Sequence, residues 1–121
     1  MTEPLEIDTS SLPHALITRP RGDIDMASAP GLGAELLQAV RAHESECLVI
    51  DLGAVDYIDS SGVELLFRLH AELAGERELI TIAPPGGTAA RLLGLVALSD
   101  VGDIRPSLAS ALDSCADADR G

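Results

Sequence analysis

The sequence contains no lysine and no tryptophan, and it has one tyrosine and one phenylalanine among its 121 residues. Without lysine, the chain can form neither a Schiff base with a carbonyl substrate nor the lysine-bearing phosphate loop of nucleotide-binding proteins. Aromatic rings that stack on bases are nearly absent, and the formal net charge of -12 repels a phosphate backbone. We therefore expect no binding to nucleic acid, and we expect any protein partner to present a basic face.

Cysteine is scarce as well, with Cys47 at the start of an apolar segment and Cys115 near the end of the sequence. Two cysteines are too few and too scattered for a disulfide framework or a zinc site, so we expect a reducing compartment, no metal and no cofactor. No apolar run approaches the ~20 residues that cross a bilayer, and no charged-then-apolar leader opens the sequence. These absences predict a cytoplasmic protein without membrane contact.

The apolar residues that are present predict a single α/β domain. Cys47–Leu52 is nearly continuous apolar sequence, as in a strand covered on both faces of a sheet, and from Val63 onward apolar residues recur with the period of a helix. Further strands are expected at residues 14–19, at 79–83 and around Ile104, and further helices at residues 30–42, 88–95 and 107–112. This alternation indicates a four- or five-stranded mixed sheet with about four helices packed on it.

Three segments divide the chain. Residues 1–13 form a polar N-terminal segment in which Leu5 and Ile7 alternate as in a short edge strand. Residues 14–112 form the domain, whose first strand is expected to turn at Pro20. Residues 113–121 form an acidic tail that we expect to fray.

Asp59, Ser60 and Ser61 lie at the junction between the central apolar strand and the helix that follows. The first turn of a helix leaves backbone N–H groups without partners, and the helix dipole favours negative charge there. A phosphorylated serine and a capping hydroxyl both fit this position. Since Ser61-Gly-Val-Glu64 matches a capping box, we predict that Ser61 caps the helix.

The same serines do not fit a hydrolase. A nucleophile elbow requires glycine two residues before the serine, and Ile58 stands there relative to Ser60. His70 follows Ser61 by nine residues on the same predicted helix, roughly 13 Å along the axis at ~1.5 Å per residue, which is too far for a general base. A small enzyme is therefore the most distant of the alternatives, and we expect no catalytic residues.

The junction also resembles a known family. Ile58-Asp-Ser-Ser-Gly-Val63 after an apolar strand, with Gly22-Asp-Ile-Asp25 upstream, is similar to the anti-anti-sigma factors of bacterial partner-switching systems, which are stand-alone STAS domains. The resemblance extends from about His14 to about Leu112, and residues 89–101 are similar to the family's penultimate helix and the turn after it. One departure is that the family often has Leu-Gly where this chain has Val-Glu after the Asp-Ser-Ser-Gly.

This resemblance implies that Ser60 is phosphorylated and that the unphosphorylated chain binds an anti-sigma factor with serine kinase activity. It also implies that a serine phosphatase resets the switch. The partner-binding residues expected around Ser60 are Asp23, Asp25, Asp59, Ser61, Gly62 and Glu64. From the residues alone, Asp23 and Asp25 fit solvated turn positions equally well. The alternative function is a STAS subunit of a transporter or stress-signalling assembly, in which the serines only cap the helix.

Overall fold

The computed structural model describes residues 5–94 and 103–120. Its elements are β1 (Glu6–Ser11), β2 (Ala15–Ile24), α1 (Ala29–Ala42), β3 (Cys47–Asp51), β4 (Val55–Ile58), α2 (Ser60–Leu73), β5 (Glu78–Ile82), α3 (Thr88–Leu93), β6 (Asp103–Arg105) and α4 (Leu108–Arg120). The predicted α/β class and the number of helices are confirmed. The part of the family resemblance at residues 95–101 lies outside the described residues.

The six strands form one mixed sheet, with the order β1-β2-β3-β5-β6 and with β4 paired to β2. β1 is the predicted edge strand and runs antiparallel to β2, while the other pairs are parallel. The count of four or five strands is corrected to six. The added strand is β4, in which only the first and last of four residues are buried, so its sequence lacks the apolar run that marks β3.

The predicted turn at Pro20 is also wrong, because this residue lies inside the 10-residue strand β2. The parallel pairing of β2 with β3 ends at Thr18, and its pairing with β4 begins at Gly22. Pro20 therefore lies where the strand changes its parallel partner. A residue without a backbone N–H is tolerated at such an interruption of the ladder.

Two apolar clusters cover opposite faces of the sheet, because successive side chains of a strand point to opposite sides. Leu48 and Ile50 of β3 belong to the larger cluster, which also contains the buried residues of α1 and α2. Cys47 and Val49 belong to a smaller cluster with Ala111 of α4. The site described below lies on the side of the larger cluster, at the start of α2.

Cys47 and Cys115 form a disulfide whose Cα atoms are 5.9 Å apart. Two cysteines that we judged too few and too scattered for a disulfide framework do form one disulfide, because α4 packs on β3 and brings together residues separated by 68 positions. The argument for a reducing compartment loses this support. The predicted boundary at residue 113 falls inside α4, which continues to Arg120 and buries Cys115 within the segment expected to fray.

Hydrogen bonds also tie α4 to the edge of the sheet. Ser114 Oγ donates to Asp103 Oδ2 of β6 over 2.8 Å, and Arg105 Nε donates to the same oxygen over 2.9 Å. Within residues 5–94 and 103–120, none of the helices has the length and apolar character needed to cross a bilayer.

Candidate functional site

Asp59 caps helix α2. It has an extended backbone, and its Oδ1 accepts a hydrogen bond from the Ser61 N–H over 2.8 Å. The prediction that Ser61 is the cap is therefore wrong: Ser61 contributes its backbone N–H, and Asp59 contributes the acceptor. The reason is β4, which stays extended to Ile58 and so places the next residue, Asp59, at the N-cap position.

Ser60 is the first residue of α2, and it is exposed. Its hydroxyl has no hydrogen-bond partner in the part of the chain that the structure describes. The helix is 14 residues long, and the positive end of its dipole lies at this serine. The hydroxyl is thus accessible to a modifying enzyme, at a position where the backbone favours an anionic group.

Gly62 lies beneath this turn and is buried. A Cβ atom at this position would lie 2.5 Å from Cγ1 of Ile58 and 3.0 Å from Cγ2 of Ile24. Only glycine therefore lets the first turn of α2 rest directly on the ends of β2 and β4. Among the predicted partner-binding residues, Gly62 is a packing residue below the surface, so it contributes by placing Ser60 and Ser61.

The turn between β2 and α1, residues 25–28, lies next to the start of α2. These two segments are distant in sequence and meet because β2 and β4 are parallel, with Ile24 beside Ile58. A backbone bond from Asp59 N–H to the Ile24 carbonyl, 3.3 Å long, joins them directly. Loops that follow neighbouring parallel strands lie at the same edge of the sheet, which is a common location of binding sites.

Asp25 and Ser28 hold this turn through reciprocal hydrogen bonds. Asp25 Oδ1 accepts from the backbone N–H groups of Ala27 and Ser28, both over 3.0 Å, and Ser28 Oγ accepts from the Asp25 N–H over 3.0 Å. Ser28 Oγ also donates to the Asp23 carbonyl over 2.7 Å. The reciprocal pair has the pattern of a capping box but lies in the turn before α1, whose own N-cap residue, Ser28, makes no side-chain cap bond. The carboxylate of Asp25 therefore orders the turn before α1.

Asp23 and Glu64 differ from Asp25 and Asp59, whose carboxylates accept backbone hydrogen bonds. Among the described residues, neither carboxylate has a hydrogen-bond or ion-pair partner. Asp23 is half-buried beside Tyr57 of β4, and Glu64 is exposed one turn after Ser60. Both carboxylates remain able to bind a partner, and the prediction that they do so stays open.

The surface around Ser60 is strongly acidic. The charged residues that the strand pairing, the turns and the groove lining place near Ser60 include Asp23, Asp25, Asp59, Glu64 and Arg68. Four of these five groups are carboxylates, so the structure adds a local reason to expect a basic partner. No group of side chains in the described ranges could hold a metal ion.

Sequence analysis did not single out two exposed apolar residues near Ser60, Met26 and Tyr57. Met26 at the tip of the β2–α1 turn has 80% of its surface exposed, and Tyr57 of β4 has 48% exposed. Beside Met26, a cavity of about 120 Å³ lies between the start of α1 and helix α2. Neither residue belongs to an apolar period, and the detectable signal in the sequence is a methionine inside a polar turn.

Comparisons with known proteins found matches that cover nearly the whole chain. The model of the STAS domain family matches residues 6–111. No curated protein sequence matches the chain. An anti-sigma factor antagonist from Mycobacterium paratuberculosis is 27% identical over 96% of this chain and 99% of that chain, with a TM-score of 0.82.

Two further solved structures have the same fold. One is the anti-sigma factor antagonist SpoIIAA in its unphosphorylated form, which is 18% identical over 90% of this chain and 95% of that chain, with a TM-score of 0.68. The other is a single-residue variant of RsbS from Moorella thermoacetica, which is 19% identical over 95% of this chain and 98% of that chain, with a TM-score of 0.74. At these identities the likeness is one of fold.

Proposed function

The chain belongs to the STAS domain family, and we propose that it is an anti-sigma factor antagonist controlled by phosphorylation of Ser60. In its unphosphorylated state it binds an anti-sigma factor that has serine kinase activity, and it thereby regulates sigma-factor-dependent transcription. A serine phosphatase restores the binding form. The chain is a substrate of these enzymes and has no catalytic role of its own. We place the exchange in the cytoplasm, because the kinase consumes ATP and the regulated process is transcription.

The observation that carries this proposal is the exposed and unpartnered Ser60 hydroxyl at the first position of α2. A serine that served only as a cap would direct its hydroxyl to a backbone N–H, and Asp59 already fills that role. The overall similarity to an anti-sigma factor antagonist along almost the whole chain supports the same assignment.

A phosphate on Ser60 would act locally. It adds a charge of about -1.5 to -2 at the helix start, which the dipole favours, and it places that charge beside the carboxylate of Asp59. In the complex, Ser60 must face the γ-phosphate of ATP for transfer to occur, so the product phosphoserine faces the remaining phosphates of the nucleotide. Like-charge repulsion and the loss of hydration at this contact weaken the complex, although the wider partner surface is basic.

The experiment incubates the purified chain with ATP and each histidine-kinase-like anti-sigma factor of the source organism, and then maps phosphate by mass spectrometry. We expect phosphate on Ser60 of the wild type and none on the Ser60→Ala variant, which should still bind. Ser60→Asp should bind more weakly. Ser61→Ala removes the other hydroxyl of this turn and should leave Ser60 able to accept phosphate.

Three outcomes would contradict the proposal. Phosphate on Ser61, or continued phosphorylation of the Ser60→Ala variant, would show that the assignment of the serine is wrong. Absence of any anti-sigma factor complex, together with a stable complex with a transporter or stress-signalling assembly, would support the alternative in which the STAS domain is a fixed subunit.

A further inference from the structure

We propose that Met26 is the apolar anchor of the kinase complex and that the neighbouring cavity receives one aliphatic side chain of the partner, flanked by an arginine or lysine. This inference rests on the function proposed above and names the contact through which that partner is recognised. The Met26 groove is defined by the residues Met26, Pro30, Ser61, Glu64, Leu65 and Arg68.

Met26 is the most exposed of the large apolar residues in the described part of the chain. Its exposed fraction is 80%, compared with 48% for Tyr57 and 41% for Leu12. A scattered apolar side chain on a surface needs no explanation by itself. The position of Met26 needs an explanation, because Met26 lies beside the turn that contains Ser60. The second exposed apolar residue, Tyr57, lies three residues before Ser60.

The backbone around Met26 is fixed before any partner arrives. Asp25 Oδ1 accepts hydrogen bonds from the backbone N–H groups of Ala27 and Ser28, so these bonds join the residue before Met26 to the two residues after it. Ordering a loop on binding costs free energy, and a turn that is already ordered avoids this cost. The methionine side chain itself stays adaptable, since it has three rotatable bonds and a polarisable sulfur.

The cavity beside Met26 has the size of one side chain. Its volume is about 120 Å³, and its apolar wall includes Leu65, which is only 5% exposed. An enclosed apolar cavity of roughly 150 Å³ takes up one benzene molecule; this smaller space is half-open and is also lined by Ser61, Glu64 and Arg68, and it has room for one aliphatic side chain. Burial of that side chain against Leu65 and Met26 would exclude water from the contact.

Charge identifies what should flank the aliphatic side chain. Glu64 and Arg68 are the charged residues that line the groove, and the carboxylate of Glu64 has no ion-pair partner among the described residues. A cation of the partner can pair with Glu64. Because Ser61 also lines the groove, a segment seated in it lies directly against the neighbouring Ser60.

The test measures the affinity of unphosphorylated variants for the anti-sigma kinase that modifies the wild type at Ser60. We expect Met26→Ala to lower the affinity at least tenfold and Met26→Leu to restore most of it. Leu108→Ala is the matched control, because Leu108 is an exposed residue on α4 at 40%. It should change the affinity less than twofold. Glu64→Gln should lower the affinity and weaken its dependence on salt.

The outcomes separate this inference from the proposed function. If the wild type binds and is phosphorylated while Met26→Ala binds as tightly as the wild type, the anchor is refuted and the proposed function stands. If Leu108→Ala and Met26→Ala weaken binding equally, the effect is not specific to the groove, and the anchor is also refuted. If no anti-sigma kinase binds the wild type, the proposed function fails and the anchor fails with it.

Discussion

Reduction of the disulfide between Cys47 and Cys115 is expected to weaken the fold severely without abolishing it. The bond joins residues that are 68 positions apart. Closing a loop of this length removes chain entropy from the unfolded state, and the loop-entropy relation gives about 4 kcal/mol at 25 °C. Domains of this kind have total stabilities of roughly 5–15 kcal/mol, so the reduced protein should stay folded with a much smaller margin.

The contacts of α4 give the reason why it should stay in place after reduction. Ala111 is fully buried in the smaller apolar cluster, and Ser114 keeps its hydrogen bond to Asp103 of β6. The two cysteine side chains are 1% and 3% exposed, so the thiols of the reduced protein should react slowly with an alkylating reagent. Their reaction rate then reports how often α4 leaves the sheet.

The assay is urea unfolding of the same protein with and without a reductant. For a slope of about 2 kcal/mol per molar urea, a loss of about 4 kcal/mol lowers the midpoint by about 2 M. The control is the double variant Cys47→Ala, Cys115→Ala, whose midpoint should not respond to reductant. The reasoning is refuted if reductant leaves the wild-type midpoint unchanged, or if unreduced protein shows two free thiols when denatured.

Three further predictions concern the site. Asp59→Ala should lower the free energy of unfolding by about 1 kcal/mol through loss of the cap, whereas Ser61→Ala should leave it nearly unchanged, because Ser61 contributes its backbone N–H; equal effects in a denaturant titration would contradict this assignment. Gly62→Ala should destabilise by about 1–3 kcal/mol because the methyl group meets Ile58, while Gly31→Ala, which meets nothing within 4 Å, should gain up to about 1 kcal/mol; thermal melts of both variants decide. The rate of association with the kinase should fall as salt rises, and a flat rate in stopped-flow measurements between low and physiological ionic strength would indicate a mainly apolar interface.

The parts of the fold that sequence analysis predicted correctly have a strong periodic signal. β3 is a continuous apolar run, and α1 and α2 repeat apolar residues with the helical period. β4 was missed because two of its four residues are exposed, so its sequence reads as a loop. The pairing of Cys47 with Cys115 could not be predicted, because it depends on α4 covering the second face of the sheet, a tertiary contact without a local signature.

Sequence analysis located the segment that contains the site, but it assigned the helix cap to Ser61 instead of Asp59. Asp59, Ser60 and Ser61 all have short polar side chains that cap helices well, so propensity alone does not rank them. The end of β4 decides which of them takes the extended cap position. Met26 was missed for a different reason, since its place in the groove comes from a turn that packs against a helix more than thirty residues later.

Asp25 and Asp59 connect these observations. Asp25 and Asp59 each follow one of the parallel neighbours β2 and β4, and each uses its carboxylate to bind backbone N–H groups of the turn that follows. Only Oδ1 of each carboxylate accepts these bonds, so Oδ2 of each keeps the capacity to accept a hydrogen bond from a partner. The side chains that these turns present outward are Met26 in one case and Ser60 in the other. By ordering these turns, Asp25 and Asp59 fix the positions of Met26 and Ser60.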